Sequence, residues 1–279
     1  MIQDIYPHIY HNEYKDIEPA ENDFILIFQK NKVLVRFQDG KLRYPTFSEM
    51  HEYTCCYHYL FSIDRYPYFL AYFSTAEETC IHLDGYSYED VTVFRTADSR
   101  HNAFAGITGH HLFNWYRTNQ FCGCCSQKML PDHKERMLYC PSCGNTVYPR
   151  ISPAVIVGVI NKDRLLMSRY AGRSYTRYAL IAGFTEIGEN AEQTVAREVM
   201  EEVGLRVKNI RYYKSQPWGI ANDILMGFYC DLDGDCDIHM DENELKYAEW
   251  VKRDEIVLQP DDFSLTNEMM QVFKETELK

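Results

Sequence analysis

The chain has 279 residues, a formal net charge of −12, 46% hydrophobic and 25% charged residues. That length suits two or three compact units with proper cores, and the negative charge excludes loose electrostatic attachment to nucleic acid or anionic lipid while leaving room for a local basic site. The amino terminus, MIQDIYPHIYHNEY, lacks both a basic n-region and an apolar h-region, and no run is long enough to span a bilayer, so the chain reads as cytoplasmic, with no membrane partner.

In chain order, Phe24 to Phe28 (FILIF) and Val33 to Phe37 (VLVRF) flank a Lys30-Asn31 turn and predict a hairpin. Pro67 to Phe73 (PYFLAYF) and Val91 to Phe94 read as further strands. From about Asn102 to Asn119 the spacing becomes helical, with Ile107, His111, Leu112, Trp115 and Tyr116 on or near one face. Residues 1–117 therefore form a small mixed α/β domain closed by a helix. The adjacent His110 and His111 lack a second ligand pair and read as structural.

Cysteines crowd residues 118–150. Cys122 and Cys125 form one C-x-x-C and Cys140 and Cys143 another, with fourteen residues between the pairs. Two tight turns of this kind point four thiolates at one ion, the arrangement of a structural zinc ribbon. Cys124 leaves open which residues make up the first pair. A closed four-thiolate site offers no open position for substrate, so zinc here contributes folding free energy to a segment with little core of its own. Cys55, Cys56, Cys80, Cys124, Cys230 and Cys236 show no ligand spacing and read as ordinary small side chains.

Residues 151–279 alternate strands and helices. Ala154 to Ile160 (AVIVGVI) and Arg164 to Met167 predict a hairpin about Asn161-Lys162-Asp163; strands follow near Val207 to Tyr213, Leu225 to Cys230 and Lys246 to Val251. A helix spans about Asn190 to Val203, and a last one runs from its N-cap Ser264 to about Glu275. Within SQPWGIAND, Ser215 to Asp223, a Pro and a Gly flank Trp218 and place it on a loop or a strand edge.

The segment GFTEIGENAEQTVAREVMEEVGL, Gly183 to Leu205, is the most informative. At 3.6 residues per turn Glu198, Glu201 and Glu202 share one side of the helix, beside an apolar stripe of Val195, Val199 and Val203. Three carboxylates so close repel unless a cation gathers them, and hard oxygen ligands suit Mg²⁺ or Mn²⁺; the ordinary reading of such a run is a solvated acidic face. Arg197 can reach forward to Glu201 or back to Glu189; Asn190 with Gln193 forms a capping box, and Gly204 ends the helix.

The run fits G-x5-E-x7-R-E-U-x-E-E-x-G-U, with U aliphatic, at Gly183, Glu189, Arg197, Glu198, Val199, Glu201, Glu202, Gly204 and Leu205, a coincidence of chance on the order of one in a million or less. The chain thus resembles the Nudix hydrolases. With the upstream ribbon, VYPRISP at Val147 to Pro153 and SQPW at Ser215 to Trp218, it is similar to the NADH pyrophosphatase, or NAD diphosphatase, branch. The resemblance implies an α/β Nudix fold, a mixed sheet between helices, preceded by the ribbon and a smaller amino-terminal domain that is a degenerate relative of the catalytic one. It also implies a homodimer.

By the same resemblance Glu198, Glu201 and Glu202 bind the catalytic divalent ions, and Glu244, in NELKYAEW, is a further ligand or a base. Glu186 and Glu189 lie in the loop against the metals; Phe184, and Tyr148 from the partner chain, sandwich the substrate ring. Gln216 and Trp218 belong to the signature beside the substrate. The implied reaction splits NADH or NAD⁺ into AMP and nicotinamide mononucleotide and extends to NAD-capped RNA, with ADP-ribose or a dinucleoside polyphosphate as the alternative. For capped RNA, Lys128, Lys134 and Arg136 beside the ribbon would meet phosphates; a rival of another class is an RNA-binding module working through the ribbon. The branch continues SQPW with P-F-P-x-S; here Gly219 to Asp223 reads GIAND, which predicts a less rigid loop and an altered substrate contact.

Overall fold

The computed structural model describes residues 1–72, 81–172 and 177–276. Phe73 and Cys80, read above as a strand end and an ordinary thiol, lie outside them. The chain divides into two compact units, one of Met1, Ile151–Trp218 and Asp223–Lys279, the other of Ile2–Arg150 and Gly219–Asn222.

In the second unit the early strands are β1 (Tyr10–His11), β2 (Phe24–Leu26), β3 (Phe28–Gln29), β4 (Lys32–Gln38) and β5 (Lys41–Arg43). Then come β6 (Cys56–Ile63), β7 (Tyr66–Tyr72), β8 (Ser87–Asp90) and helix α1 (Arg100–Thr118). β3 and β4 close the predicted hairpin, whereas β2 leaves it to pair in parallel with β7. The core gathers Ile25, Ile27, Leu34, Met50, Tyr59 and Phe69. Val91 to Phe94 is not the expected strand. It forms a single 3-10 turn, because the Asp90 carboxylate accepts the Thr92 amide at 2.9 Å and bends the β-branched run at its start.

The cysteine-rich segment adds β9 (Leu130–Pro131), β10 (Leu138–Tyr139) and β11 (Thr146–Val147), a three-stranded antiparallel sheet. It is tied to the amino-terminal segment of its own unit: the Tyr14 hydroxyl donates to the Asp132 carbonyl at 2.8 Å, and His133 meets Asp16 at 2.7 Å. Arg136 reaches the carbonyls of Asn12 and Leu60. It is therefore turned inward and is not the free phosphate contact that sequence suggested. His110 and His111 are structural as expected, facing the Lys30 and Arg150 carbonyls.

The first unit is a sheet between two helices. Its strands are β12 (Ser152–Asn161), β13 (Arg164–Tyr170), β14 (Ile181–Phe184), β15 (Val207–Trp218), β16 (Asp223–Leu232) and β17 (Leu245–Lys252); its helices are α2 (Ala191–Val203) and α3 (Leu265–Glu275). The order is β15-β16-β12-β13-β17, with β14 on β12 and β12 parallel to β16. Strand alternation sends Val155, Val157, Leu166 and Ile181 toward Val195, Val199 and Val203 of α2. The other face sends Ile156, Leu165, Met167 and Leu180 toward Leu265, Met269 and Phe273 of α3. The three α2 valines are fully buried, each stabilising by about 1.5–3 kcal/mol relative to exposure. β15 runs five residues past its predicted end, through Pro217 to Trp218, which an edge strand tolerates because no neighbour needs the missing amide.

Helix α2 opens on the predicted capping box, Asn190 Oδ1 accepting the Gln193 amide and Gln193 Oε1 the Asn190 amide, both at 2.9 Å. It ends at Gly204 in the left-handed conformation, φ 69°. Replacing Asn190→Ala should cost about 1 kcal/mol, read as a lower denaturation midpoint at unchanged slope.

Candidate active site

The active edge starts from a steric fit between β14 and α2. A β-carbon on Gly183 would stand 1.9 Å from Glu198 Cδ, so only glycine lets that carboxylate tuck against the strand. Glu198 is 8% and Glu202 1% exposed, while Glu201 points outward. Desolvation raises the Glu198 carboxyl above its ordinary range, Arg197 opposes this, and the charges of Glu201 and Glu244 add to the rise.

Arg197 takes both directions open to it in sequence. Its Nε donates to Glu189 Oε1 at 2.7 Å and Nη1 to Glu198 Oε1 at 2.7 Å and Glu201 Oε2 at 2.9 Å. Nη2 donates to the Phe184 carbonyl at 2.8 Å and to Glu189 Oε2 at 3.0 Å. Glu189 also accepts the Glu186 amide, which closes the Gly183–Glu189 loop. With Arg197 as main cause, the Glu189 carboxyl is lowered to about 2.

Glu244 joins this edge through the backbone. The Asp241 amide bonds to the Glu202 carbonyl at 2.9 Å, Glu244 bonds back to Asp241, and the Ala171 amide binds the Glu244 carbonyl at 2.9 Å. The loop before β17 thus hangs from the end of α2. Carboxylate oxygens beside a glycine-shaped recess are the hard donor type that suits a divalent cation. Among the described residues only two groups bring three or more candidate ligand atoms within 4.8 Å of one another, the four ribbon cysteines and Asp235-Cys236-Asp237. The helix glutamates are not drawn together to that degree.

The other predicted residues fall in three places. Phe184 is exposed at the end of β14, and Glu186 is exposed on the loop. Tyr148, in the second unit, is exposed, its hydroxyl directed to Glu135. Gln216 is wholly buried on β15: Nε2 donates to the Phe263 carbonyl at 3.0 Å and Oε1 accepts the Leu265 amide at 2.7 Å. Its amide clamps the start of α3 and sets Phe263 edge-on to half-buried Trp218, ring centroids 5.7 Å apart. The altered half of the signature is packed instead of loose at its first residue. A β-carbon on Gly219 would lie 2.5 Å from the Ile107 carbonyl oxygen of α1 and 3.1 Å from His111 Cβ.

In the ribbon, Sγ of Cys122 and Cys143 are 3.5 Å apart, of Cys125 and Cys140 3.4 Å, and of Cys125 and Cys143 3.5 Å. A tetrahedron with Zn–S near 2.3 Å has edges of about 3.8 Å, so these three edges need to open by only a few tenths of an ångström. The Cys124 amide donates to Cys122 Sγ, the first cause holding that thiol down to about 6; the Cys143 amide lowers Cys140 likewise. Cys124 itself stays outside the group, which settles the first pair.

Sequence missed a third group, Arg169 on β13, Tyr178 before β14, and Tyr247 and Glu249 on β17. They come from three separate segments, so no spacing could have revealed them.

Residues 150–273 match the profile of the NUDIX domain and residues 117–148 that of the NADH pyrophosphatase zinc ribbon domain. Residues 150–273 therefore carry a NUDIX domain, and residues 117–148 the zinc ribbon domain described for NADH pyrophosphatases. The NAD-capped RNA hydrolase NudC of Enterobacter sp. (strain 638) is 41% identical over 152 residues, 54% of this chain and 58% of that protein. The NudC of Shigella dysenteriae serotype 1 (strain Sd197) is 39% identical over 152 residues, 54% of this chain and 59% of that one. The matched region spans somewhat over half the length of these relatives. A NUDIX hydrolase from Nitrosomonas europaea is similar in structure with TM-score 0.49 and 23% identity, covering 56% of this chain and 91% of that one.

Purified chain should carry one zinc by elemental analysis, with Cys140→Ser losing it and Cys124→Ser keeping it. For Glu189, lowered from 4.5 to about 2, the stabilisation is complete above pH 4.5 and lost as pH falls toward 2. Glu189→Gln should therefore flatten the fall of Tm with acidity across that window.

Proposed function

We propose that the chain hydrolyses the pyrophosphate bond of NADH or NAD⁺ to AMP and nicotinamide mononucleotide, and removes NAD caps from RNA 5′ ends. The reading is carried by Glu198 seated against Gly183, one helical turn from Glu201 and Glu202, with Glu244 hung from the same helix end. The similarity to proteins named NAD-capped RNA hydrolase and the matching ribbon support the substrate.

In this reading Glu198, Glu201, Glu202 and Glu244 hold Mg²⁺ or Mn²⁺, which supplies charge neutralisation at the phosphate oxygens and an activated water. Arg197 and Glu189 keep the loop and the carboxylates in place before substrate arrives. Phe184 offers a ring face to the substrate ring, with Tyr148 of a second copy opposite in a homodimer. Gln216 acts from behind, holding Phe263 and Trp218 as one wall of the site, and Glu186 faces the metals from the loop. Zinc in the ribbon is structural, and the chain works in the cytoplasm. Residues 1–117, 118–150 and 151–279 serve as amino-terminal, ribbon and catalytic domains, the first a degenerate Nudix relative.

A second reading, hydrolysis of ADP-ribose or a dinucleoside polyphosphate, is favoured by GIAND in place of P-F-P-x-S. An RNA-binding module built on the ribbon is disfavoured by the intact carboxylate set of Glu198, Glu201 and Glu202, which a non-catalytic scaffold need not retain. Product analysis with NADH, NAD⁺, ADP-ribose and NAD-capped RNA side by side separates these readings. Glu201→Gln and Glu202→Gln should each lower kcat about 10²-fold or more with Mg²⁺ present. Normal turnover in both variants would sink the assignment.

A further inference from the structure

Arg169 sets its guanidinium against two tyrosine rings and makes no ion pair among the described residues. Its guanidinium carbon lies 4.3 Å from the Tyr178 ring centroid and 5.8 Å from that of Tyr247, its cross-strand neighbour. Nε is enclosed without a hydrogen-bond acceptor. Glu249 on β17 accepts the Tyr178 hydroxyl at 2.6 Å and so fixes that ring from the other side. Among the described residues no carboxylate forms an ion pair with Arg169. Tyr178 is itself fixed from behind, Gln259 Nε2 donating to its carbonyl at 3.1 Å.

The group stands close to the active edge. Two residues after Arg169, Ala171 holds the Glu244 carbonyl, and Tyr170 is in register with Leu245. Alternation along β13 puts Arg169 on the face of Leu165 and Met167, which is the α3 side. The same rule along Tyr178, Leu180 and Ala182 carries Phe184 to that side. Arg169 thus shares the sheet face of Phe184, away from the face that α2 covers. A ligand of its guanidinium would accordingly approach on the Phe184 side of the sheet and not on the α2 side that carries the carboxylates. Tyr247 is 40% exposed and offers a ring face beside the guanidinium. A cation between aromatic faces is the chemistry that tracks single-stranded nucleic acid, where phosphate meets charge and bases stack. In a chain of net charge −12, a local cation is also what a phosphodiester requires.

We propose that Arg169, Tyr178 and Tyr247 form a contact for the RNA strand that continues from the capped adenosine, the guanidinium taking a phosphodiester oxygen and Tyr247 a base. This rests on the decapping reading above. The test compares the full chain with Arg169→Ala and Arg169→Lys on NAD⁺, NADP⁺ and an NAD-capped RNA of about ten nucleotides. In parallel, fluorescence anisotropy follows a labelled single-stranded RNA of that length against salt.

The ratio of kcat/KM for capped RNA to that for NAD⁺ should fall about tenfold in Arg169→Ala and less in Arg169→Lys. The slope of log affinity against log salt should lose about one unit. An unchanged ratio and slope overturn the proposal. So does a loss confined to NADP⁺, which would assign the guanidinium to a ribose 2′-phosphate. Should the wild-type chain cleave none of the substrates, the decapping reading fails and the anisotropy decides this one alone: a reduced slope upholds the strand contact and an unchanged slope overturns it.

Discussion

One guanidinium holds the active edge together. Arg197 binds Glu189, Glu198, Glu201 and the Phe184 carbonyl, so it joins the loop, the last turns of α2 and the end of β14. Two like charges 4 Å apart near a protein surface repel by about 4 kcal/mol, and several carboxylates meet here. Without a cation built into the chain they would push the loop away from the helix. Arg197 lets the fold assemble the acids and shape the loop with a cation of its own. In the proposed function that division would separate folding from metal loading.

The second unit applies a comparable logic to sulfur. Its ribbon brings the four thiols together on two turns whose amides lower Cys122 and Cys140, and Tyr14, Arg136 and Asp16 tie it to the first residues of the chain. The metal site and the amino-terminal segment therefore share a stability. Weakening either loosens the other within that unit.

Much of this could be read from the chain alone, for identifiable reasons. The α2 helix was legible because its valine stripe, capping box and terminal glycine all obey local rules, and the ribbon because cysteine pairs are rare and their spacing is geometric. Val91 to Phe94 misled because one side chain, Asp90, overrode the β propensity of the run. Gln216 was placed beside the substrate by resemblance, yet its amide is committed to Phe263 and Leu265, some fifty residues away, a contact no local pattern encodes. Arg169, Tyr178 and Tyr247 were invisible for the same reason, each being unremarkable until the sheet brings three segments together.

The packing of Gly219 links two parts of the chain that could otherwise vary separately. With the Ile107 carbonyl 2.5 Å from where a β-carbon would stand, a proline at this position would collide with the backbone of α1 and not merely with a pliable side chain. Exchange of this loop for the P-F-P-x-S form is consequently not a local edit. It would require α1 to withdraw, and α1 is built into the core of its own unit through Phe104, Ile107 and Trp115. Whatever specificity GIAND confers is inherited together with the helix it rests on, so loop and helix are expected to change as a pair among relatives or not at all.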